Sequence, residues 1–514
     1  MHSLYKIKKL YTKGSDKMEI NKNLETNIDN LDKIFGESDD ISKRLFPVGM
    51  YNLTKAYIIY IDNLANSDFI SKTVVTSLMF NIRLVKPSCF SSKDVFTALI
   101  NGGITAPDIR EEKDFNNVVI AIQSGDTALF LDGHDFALII ASRGWQSRGV
   151  PTAETEVVLQ GSKEAFSESM RTNTVLIRRR IRDNNLVIRQ TQLGRRSRTD
   201  IAIAYIKDIV RPDVLNEVQQ RLDKIDIDAI LDIGYIEQLI EDDWKSPFPQ
   251  CQITERPDKV ASSLLEGKIA IISDNAPFAL IVPSVITCFF QSPEDYYGRF
   301  EIMSLSRLLR YLGCVVAITL PGLYLAIALY NPNMIPTEIM FRMAEARQTV
   351  PFPALVEIMI MDTAFELLRE AGIRLPSAIG STIGVVGGII IGQAAVEAGF
   401  VSPIVVIIVA LTAICGFTLP NVSLVGGIRI SKYLLILGGA FFGLIGFWVG
   451  LIFILIHLAS LKSFGFPYLF PFVSSDINGY SDLKDTLVRP PLFWMNKRPF
   501  FANEDQRKRN GLYR

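Results

Sequence analysis

Hydrophobic and polar positions along this chain follow two regimes that meet near residue 300. Upstream, short apolar runs are separated by charged and turn-forming residues, the pattern of a soluble mixed α and β region. Downstream, between residues 311 and 458, several runs carry almost no charge and reach the roughly 20 residues needed to cross a hydrocarbon core. The expected architecture is an α+β soluble N-terminal region of two subdomains followed by an α-helical multi-span membrane domain.

Within the soluble part, AYIIYIDNL alternates like a strand and residues 68–85 read as a helix. VVIAIQSGDTALFLDGHDFALIIAS reads as three short strands, the last two joined at Asp132-Gly133, a favoured hairpin turn. LVIRQTQLGRRSRTDIAIAYI reads as a strand pair, followed by a helix from Pro212 to Asp223 with proline in its first turn. TERPDKVASSLLEG predicts a helix stopped by Gly267, and KIAIISDNAPFALIVPS a hairpin turning at Asp274-Asn275. These elements divide the chain into a flexible polar leader (1–40), one α+β subdomain (41–150), a second (151–300), a helical membrane domain of four or five spans (301–460) and a basic tail (461–514).

Four apolar runs are candidate spans: 311–330, with Pro321 implying a kink, then 378–396, 403–419 and 433–458. In 378–396, Gly380, Gly384, Gly388 and Gly392 recur every fourth residue, leaving one helix face nearly bare for close packing. Gly439 with Gly443, and Gly446 with Gly450, repeat the spacing.

Among these runs lies PALVEIMIMDTAFELLREAGIRLP (353–376), which carries Glu357, Asp362 and Glu366. A carboxylate in a bilayer is expensive to keep and marks a functional position. On a helical wheel Asp362, Glu366, Arg369 and Glu370 share a sector of roughly 100°, while Glu357 stands apart with no partner evident in sequence. Two placements compete. Lying flat, the helix would put its polar stripe among lipid headgroups, with Arg369 and Arg374 on phosphates; standing in an assembly, it would turn carboxylates toward a polar interior that favours cations. Basic residues before 311 place the soluble part on the cytoplasmic side. Counting 353–371 as a crossing sends the tail outside, yet that tail holds nine Lys or Arg against five Asp or Glu.

Net charge is zero, and three histidines and five cysteines without close pairing give no metal spacing, disulfide framework or catalytic base. An enzyme, a cofactor and a metal are not expected. Arg178, Arg179, Arg180 and Arg182, with Arg195, Arg196 and Arg198, form a basic cluster without interleaved aromatics, so a salt-bridged face is expected and nucleic-acid binding is not.

Taken together, NTVLIRRRIRDNNLVI, SPFPQCQITERPDKVASSLLEG, QSPEDYYGRF, FELLREAGIRLPSAIGSTIGVVGG and SFGFPYLFPF resemble the A subunit of GerA-type spore germination receptors, over about residues 40–500. The resemblance implies a spore inner-membrane protein working with a transporter-like B subunit and a lipoprotein C subunit, and assembling into a ring that forms a nutrient-gated cation channel. Within it, Arg256, Pro257, Asp258, Lys259, Glu266, Gly267, Glu294, Asp295 and Tyr296 fall on family motifs, as do Glu366, Arg369, Glu370, Arg374 and Pro376 in the membrane half. Their charges imply ion pairs between domains or subunits. Two departures are Asp274-Asn275 where the family has Asp-Gly, and Gly194-Arg195-Arg196-Ser197-Arg198-Thr199 where it has GRRTKT; Asn tolerates positive φ, so the turn survives. The rival readings are a secondary transporter and a non-conducting scaffold.

Overall fold

The computed structural model describes residues 18–48, 54–81, 106, 108–144, 151–153, 155–158, 160–374, 392–473 and 482–509. Helix α1 (Leu24–Phe35) is capped by the Asn23 side chain and buries Leu24, Leu31 and Phe35. The expected leader therefore does not hold for residues 18–40: polar composition conceals an apolar stripe at helical spacing, which packs on the first sheet.

That sheet comprises β1 (Ile41–Val48), β2 (Thr54–Ile61), β3 (Ile109–Glu112), β4 (Thr127–Leu131) and β5 (Ala137–Ile140), ordered β1-β2-β4-β5-β3 with every pairing antiparallel. One face is covered by α1 and α2 (Phe115–Gln123), the other by a helical run at 67–81 with π-type turns around Ile70, Val74 and Leu78. Helix α2 replaces the first of the three strands expected between 118 and 142. Asp114 caps it, and Phe115, Val118, Val119 and Ile122 repeat at helical spacing, so its apolar residues bury one stripe rather than alternate.

Helix α3 (Met170–Arg180) opens a second sheet of β6 (Leu186–Leu193), β7 (Thr199–Ile206), β8 (Gln252–Thr254), β9 (Ile269–Ser273) and β10 (Ala279–Val282), ordered β6-β7-β9-β10-β8 and again antiparallel. Helices α4 (Pro212–Asp223) and α5 (Ile233–Ile240) cover one face; α3 and α6 (Pro257–Leu265) cover the other. The two sheets share one topology: hairpin, edge strand, helix, hairpin. The correspondence extends to the turns. Gly125 and Gly267, with φ of 94° and 93°, end the equivalent helices; Gly133 and Asn275, with φ of 84° and 66°, turn the equivalent hairpins. Asparagine thus takes the left-handed position that the Asp-Asn turn required. Covered on both faces, β4, β5, β9 and β10 are buried throughout.

A short helix α7 (Glu294–Tyr297) leads into α8 (Phe300–Tyr330), which joins the amphipathic run and the apolar span without a break and contains Pro321. Then follow α9 (Thr337–Arg347), α10 (Ala354–Arg374), α11 (Pro403–Phe417) and α12 (Val422–Ser460). Among the described residues, α8 and α12 are long and apolar enough to cross a membrane; α11 is shorter. The expected span 378–396 lies outside the described residues except at its end.

Helix α12 is not one span. Gly443 has φ 61° and ψ −146°, a conformation open in practice to glycine, and the chain reverses there. Gly438 meets Gly446 and Gly450 meets Leu435 across the reversal, so the two halves form a hairpin with limbs of roughly 31 and 25 Å. Tyr330, the last residue of α8, packs on Gly443 and donates its hydroxyl to the Ala440 and Phe441 carbonyls (3.0 and 2.9 Å), which the broken helix would leave unpaired. Backbone contact also joins α8 to the first limb: a Cβ on Gly322 would lie 2.5 Å from the Leu435 carbonyl oxygen.

Beyond the hairpin, β11 (Lys462–Ser463) and β12 (Phe466–Pro467) return to the second sheet, where Phe464, Phe466, Phe470 and Phe501 complete its core. The tail and the soluble units therefore lie at the same end of the helical domain.

Gly443→Val is expected to lower the melting temperature of the detergent-solubilised protein, corresponding to at least about 1–3 kcal/mol of backbone strain plus the clash with Tyr330. Gly426→Ala, where an added Cβ meets nothing within 4 Å, should be neutral or stabilising. Equal losses in both would disprove the hinge.

Candidate functional site

Among the described residues, three clusters of charged side chains bear on the motifs read from the sequence. The first is the joint between soluble and helical regions. Asp295 and Arg307 are fully buried. Asp295 accepts from Arg307 Nε (3.2 Å) and from Arg310 Nη1 and Nη2 (2.9 and 2.8 Å). Arg307 Nη1 also donates to the Asp485 carbonyl and carboxylate (2.6 and 2.9 Å), and Tyr296 donates to Asp485 (2.7 Å). Two guanidiniums and two carboxylates thus balance while tying α7, α8 and the tail together. Besides their weight as topology signals, Arg307 and Arg310 have a three-residue spacing on one helix face, which is the clue in the sequence that they share a partner.

The second is the expected motif TERPDK. Arg256 is fully buried, forms a bidentate pair with Asp258 (3.1 and 2.6 Å) and donates to the carbonyls of Glu156 and Ser162. Lys259 pairs with Glu156 (2.6 Å), and Glu255 accepts from the Thr155 and Glu156 backbone. Tyr297 donates to Asp258 (2.6 Å); burial, and then that carboxylate, push its phenol up to about 12. Arg256, Asp258 and Lys259 therefore fasten the 155–164 connection to α6 within one chain. Glu266 pairs with Arg509 (3.4 Å). Elsewhere, buried Arg178 holds Asp40 (2.6 and 2.7 Å) across the two units, Arg179 and Arg180 pair with Glu164, and Arg195 pairs with Asp226: the expected salt-bridged face.

The third is the acid-bearing helix α10. Asp362 lies 2.5 Å from Lys432, both nearly buried, and Glu366 takes Arg369 on its own helix and Arg429 (3.0 Å) on the first limb of α12. Asp362 and Glu366 descend α10 as Lys432 and Arg429 ascend α12, which makes an antiparallel ladder. A cavity of about 60 Å³, enough for about two waters, lies among Asp362, Glu366, Arg369, Arg429, Lys432 and Thr412. Glu357 is fully buried near the other end of α10, where it accepts from the Ser402 backbone N–H (2.8 Å) and faces Arg347 at 3.5 Å. The acid without an evident sequence partner thus has one on α9, outside its own helix. Glu370 belongs to the same helix, and the Arg374 side chain lies outside the described residues. So do Gly380, Gly384 and Gly388; a Cβ on Gly392 would meet Val406 at an ordinary 3.5 Å.

Around this polar interior the helical region exposes large apolar side chains in bands: Leu308, Leu312 and Val315 on α8, Ile407, Leu411 and Ile414 on α11, and Phe441, Ile445, Trp448, Val449, Ile452 and Phe453 on α12. A surface apolar outside and charged inside inverts the soluble pattern.

A family model described as Bacillus/Clostridium GerA spore germination protein matches residues 29–501. The chain belongs to the GerA family. "Spore germination protein KA" of Bacillus subtilis (strain 168) is 39% identical over 492 residues, 96% of this chain and 89% of that protein. "Spore germination protein B1" of the same organism is 39% identical over 482 residues, 94% of this chain and 98% of that one. The crystal structure of the N-terminal domain of the A subunit of the Bacillus megaterium spore germinant receptor GerK3 is 32% identical, covering 53% of this chain and 99% of that one with a TM-score of 0.41. In this GerA-family chain the motif residues Arg256, Asp258 and Asp295 all serve intramolecular ion pairs.

Lys432→Met alone strands the Asp362 carboxylate in apolar surroundings and is expected to cost about 3–5 kcal/mol of stability. The double variant Lys432→Met with Asp362→Leu should recover most of it, read as melting temperature in detergent. Additive losses would show that the pair is not coupled.

Proposed function

We propose that this chain is the A-type subunit of a spore germinant receptor, held in the spore inner membrane by its helical domain. It works beside a transporter-like B subunit and a lipoprotein C subunit, assembles as a homo-oligomeric ring and forms a nutrient-gated cation path. The subunit itself carries out no catalytic step. The observation that carries this reading is the charged ladder Asp362–Lys432 and Glu366–Arg429 with its cavity, held inside a bundle whose outer surface is apolar.

Neutralised carboxylates do not attract cations, so the ladder describes a closed state. Parting α10 from the first limb of α12 would bare Asp362 and Glu366 to an aqueous path and favour cations over anions. The joint at Asp295 gives the soluble units a mechanical hold on α8, which packs on that limb through Gly322. That the soluble units and the tail lie at the same end of the helices supports an even number of crossings, and the basic residues Arg307 and Arg310 favour the core side for both. A scaffold without conduction is supported by the same ion pairs, since they also stabilise packing, and it predicts a different outcome below.

Spores carrying Asp362→Asn or Glu366→Gln, each checked by immunoblot for normal membrane level, are expected to show altered cation selectivity or cation leak without nutrient, by severalfold for Asp362→Asn, whereas Glu357→Gln, at a carboxylate that stays paired away from the ladder, is expected to keep normal selectivity. Normal nutrient-triggered cation release from both ladder variants would refute the acidic path and leave α10 a packing element.

A further inference from the structure

Lys268 stands between Gly267 and β9, and its Nζ lies 3.1 Å from Cys288 Sγ. Both residues are buried, 3% and 6% exposed. The other groups near the amine are the Glu266 carboxylate at 4.0 Å and the Phe501 ring at 4.9 Å. A buried ammonium is ordinarily satisfied by carboxylate or carbonyl oxygens; here its hydrogen-bond acceptor is a thiol, a weak one. Backbone on both sides holds the two atoms together. Lys268 N–H donates to the Ser263 carbonyl, and Cys288, in the turn Ile286–Phe289, gives its own carbonyl to buried Gln252 (2.9 Å).

Small reagents have a way in. Two cavities of about 290 and 440 Å³ share Glu266, Lys268, Cys288, Gln291 and Arg509 as walls. An uncharged oxidant the size of water would reach the sulfur without unfolding the unit.

We propose that Lys268 and Cys288 are a modification site: hydrogen peroxide joins them through a nitrogen–oxygen–sulfur bridge, and thiols reopen it. Peroxide first transfers one oxygen to sulfur, giving the sulfenic acid and water. Glu266, at 4.0 Å, takes a proton from the Lys268 ammonium; burial pushes the Glu266 carboxyl above its ordinary range, but against burial Cys288 and Glu266 also hold the ammonium above its own, so the transfer is uphill. A second peroxide accepts two electrons as the N–O bond forms; one proton leaves nitrogen and one leaves the sulfenic oxygen, and two waters result. Reduction takes four electrons, so two equivalents of dithiothreitol return the amine, the thiol and one water.

The bridge would act on the joint described above. Two residues beyond Cys288 the Phe290 carbonyl accepts from Arg310, and Gln291 donates to the Asp485 carbonyl. Tying this turn to β9 stiffens the segment from which Asp295 reaches Arg307.

The test uses the full chain in detergent, treated with hydrogen peroxide, digested with chymotrypsin without reductant and read by mass spectrometry. The expected product links the Lys268 and Cys288 peptides at about 14 Da above their summed mass, disappears after dithiothreitol, and is absent from Lys268→Arg and Cys288→Ser. Lys268→Arg keeps the buried charge, and its melting temperature shows whether it folds. The proposal is overturned if Cys288 is recovered as sulfinic acid, about 32 Da heavier, beside free Lys268. It is equally overturned if Cys288 stays unmodified while Cys314 and Cys415 oxidise, or if the linked species persists in Lys268→Arg.

Discussion

The burial of Arg307 between Asp295 and Asp485 is the constraint on which the rest of the molecule depends. A fully buried guanidinium is tolerated only when its charge is met, and the partners here come from two separate stretches of chain, Asp295 on α7 and Asp485 in the tail, while Arg310, one turn along α8, shares Asp295. Replacing this cluster with apolar residues could be equally stable, so its value lies in geometry. It sets the direction in which α8 leaves the soluble units and the position where the tail crosses behind it. A movement of either unit has to move α8 or break the cluster, which makes the cluster a natural transmission point between soluble and helical regions.

Behind the joint stand two units with one topology, and their differences indicate how they are used. The position after the helix-ending glycine is Asp126 in the first and Lys268 in the second. Asp126 takes Arg143 at 2.8 Å near the surface, a simple ion pair. Lys268 is buried beside a thiol, under a tail that only the second unit carries. The added aromatics Phe464, Phe466, Phe470 and Phe501 give the second unit a larger core and make it the platform that both ends of the helical region grip. Phe248 adds to that grip, since it meets Gly427 on one limb of the hairpin and His457 on the other.

Where local chemistry decides a structure, it could be read from the sequence. Both hairpin turns, the proline-started α4 and the helix stopped by Gly267 were legible because each rests on a residue with one strong backbone preference. Sequence pattern and structure part where a pattern is compatible with two periods or where the deciding contact is remote. In 118–123 a run of apolar residues suits a strand or a buried helix, and Asp114 as a cap was the overlooked discriminator. At Gly443 the i, i+4 glycines suggested a packing face; reversal depends on Tyr330, 113 positions away in the sequence from that glycine, supplying two hydrogen bonds. The partners of Glu357, Asp362 and Glu366 lie on other helices, so the acids were visible and their neutralisation was not, although Arg429 and Lys432 had the complementary spacing.

That neutralisation changes what the acids mean. A carboxylate ring around a permanently open path would leave charges facing water, whereas Asp362 and Lys432 are both nearly buried and in direct contact. In low-dielectric surroundings such a pair holds only while both partners stay, so the ladder is a two-position element: closed with charges matched, or open with both hydrated. Glu357 differs, because its acceptor contact is to the backbone N–H that begins α11 and its cation is on α9, so separating α10 from α12 leaves it paired. The helix α10 would then pivot about its Glu357 end and swing at its Glu366 end. That end lies on the first limb of α12 near the soluble units, where a pull transmitted through the Arg307 joint arrives first.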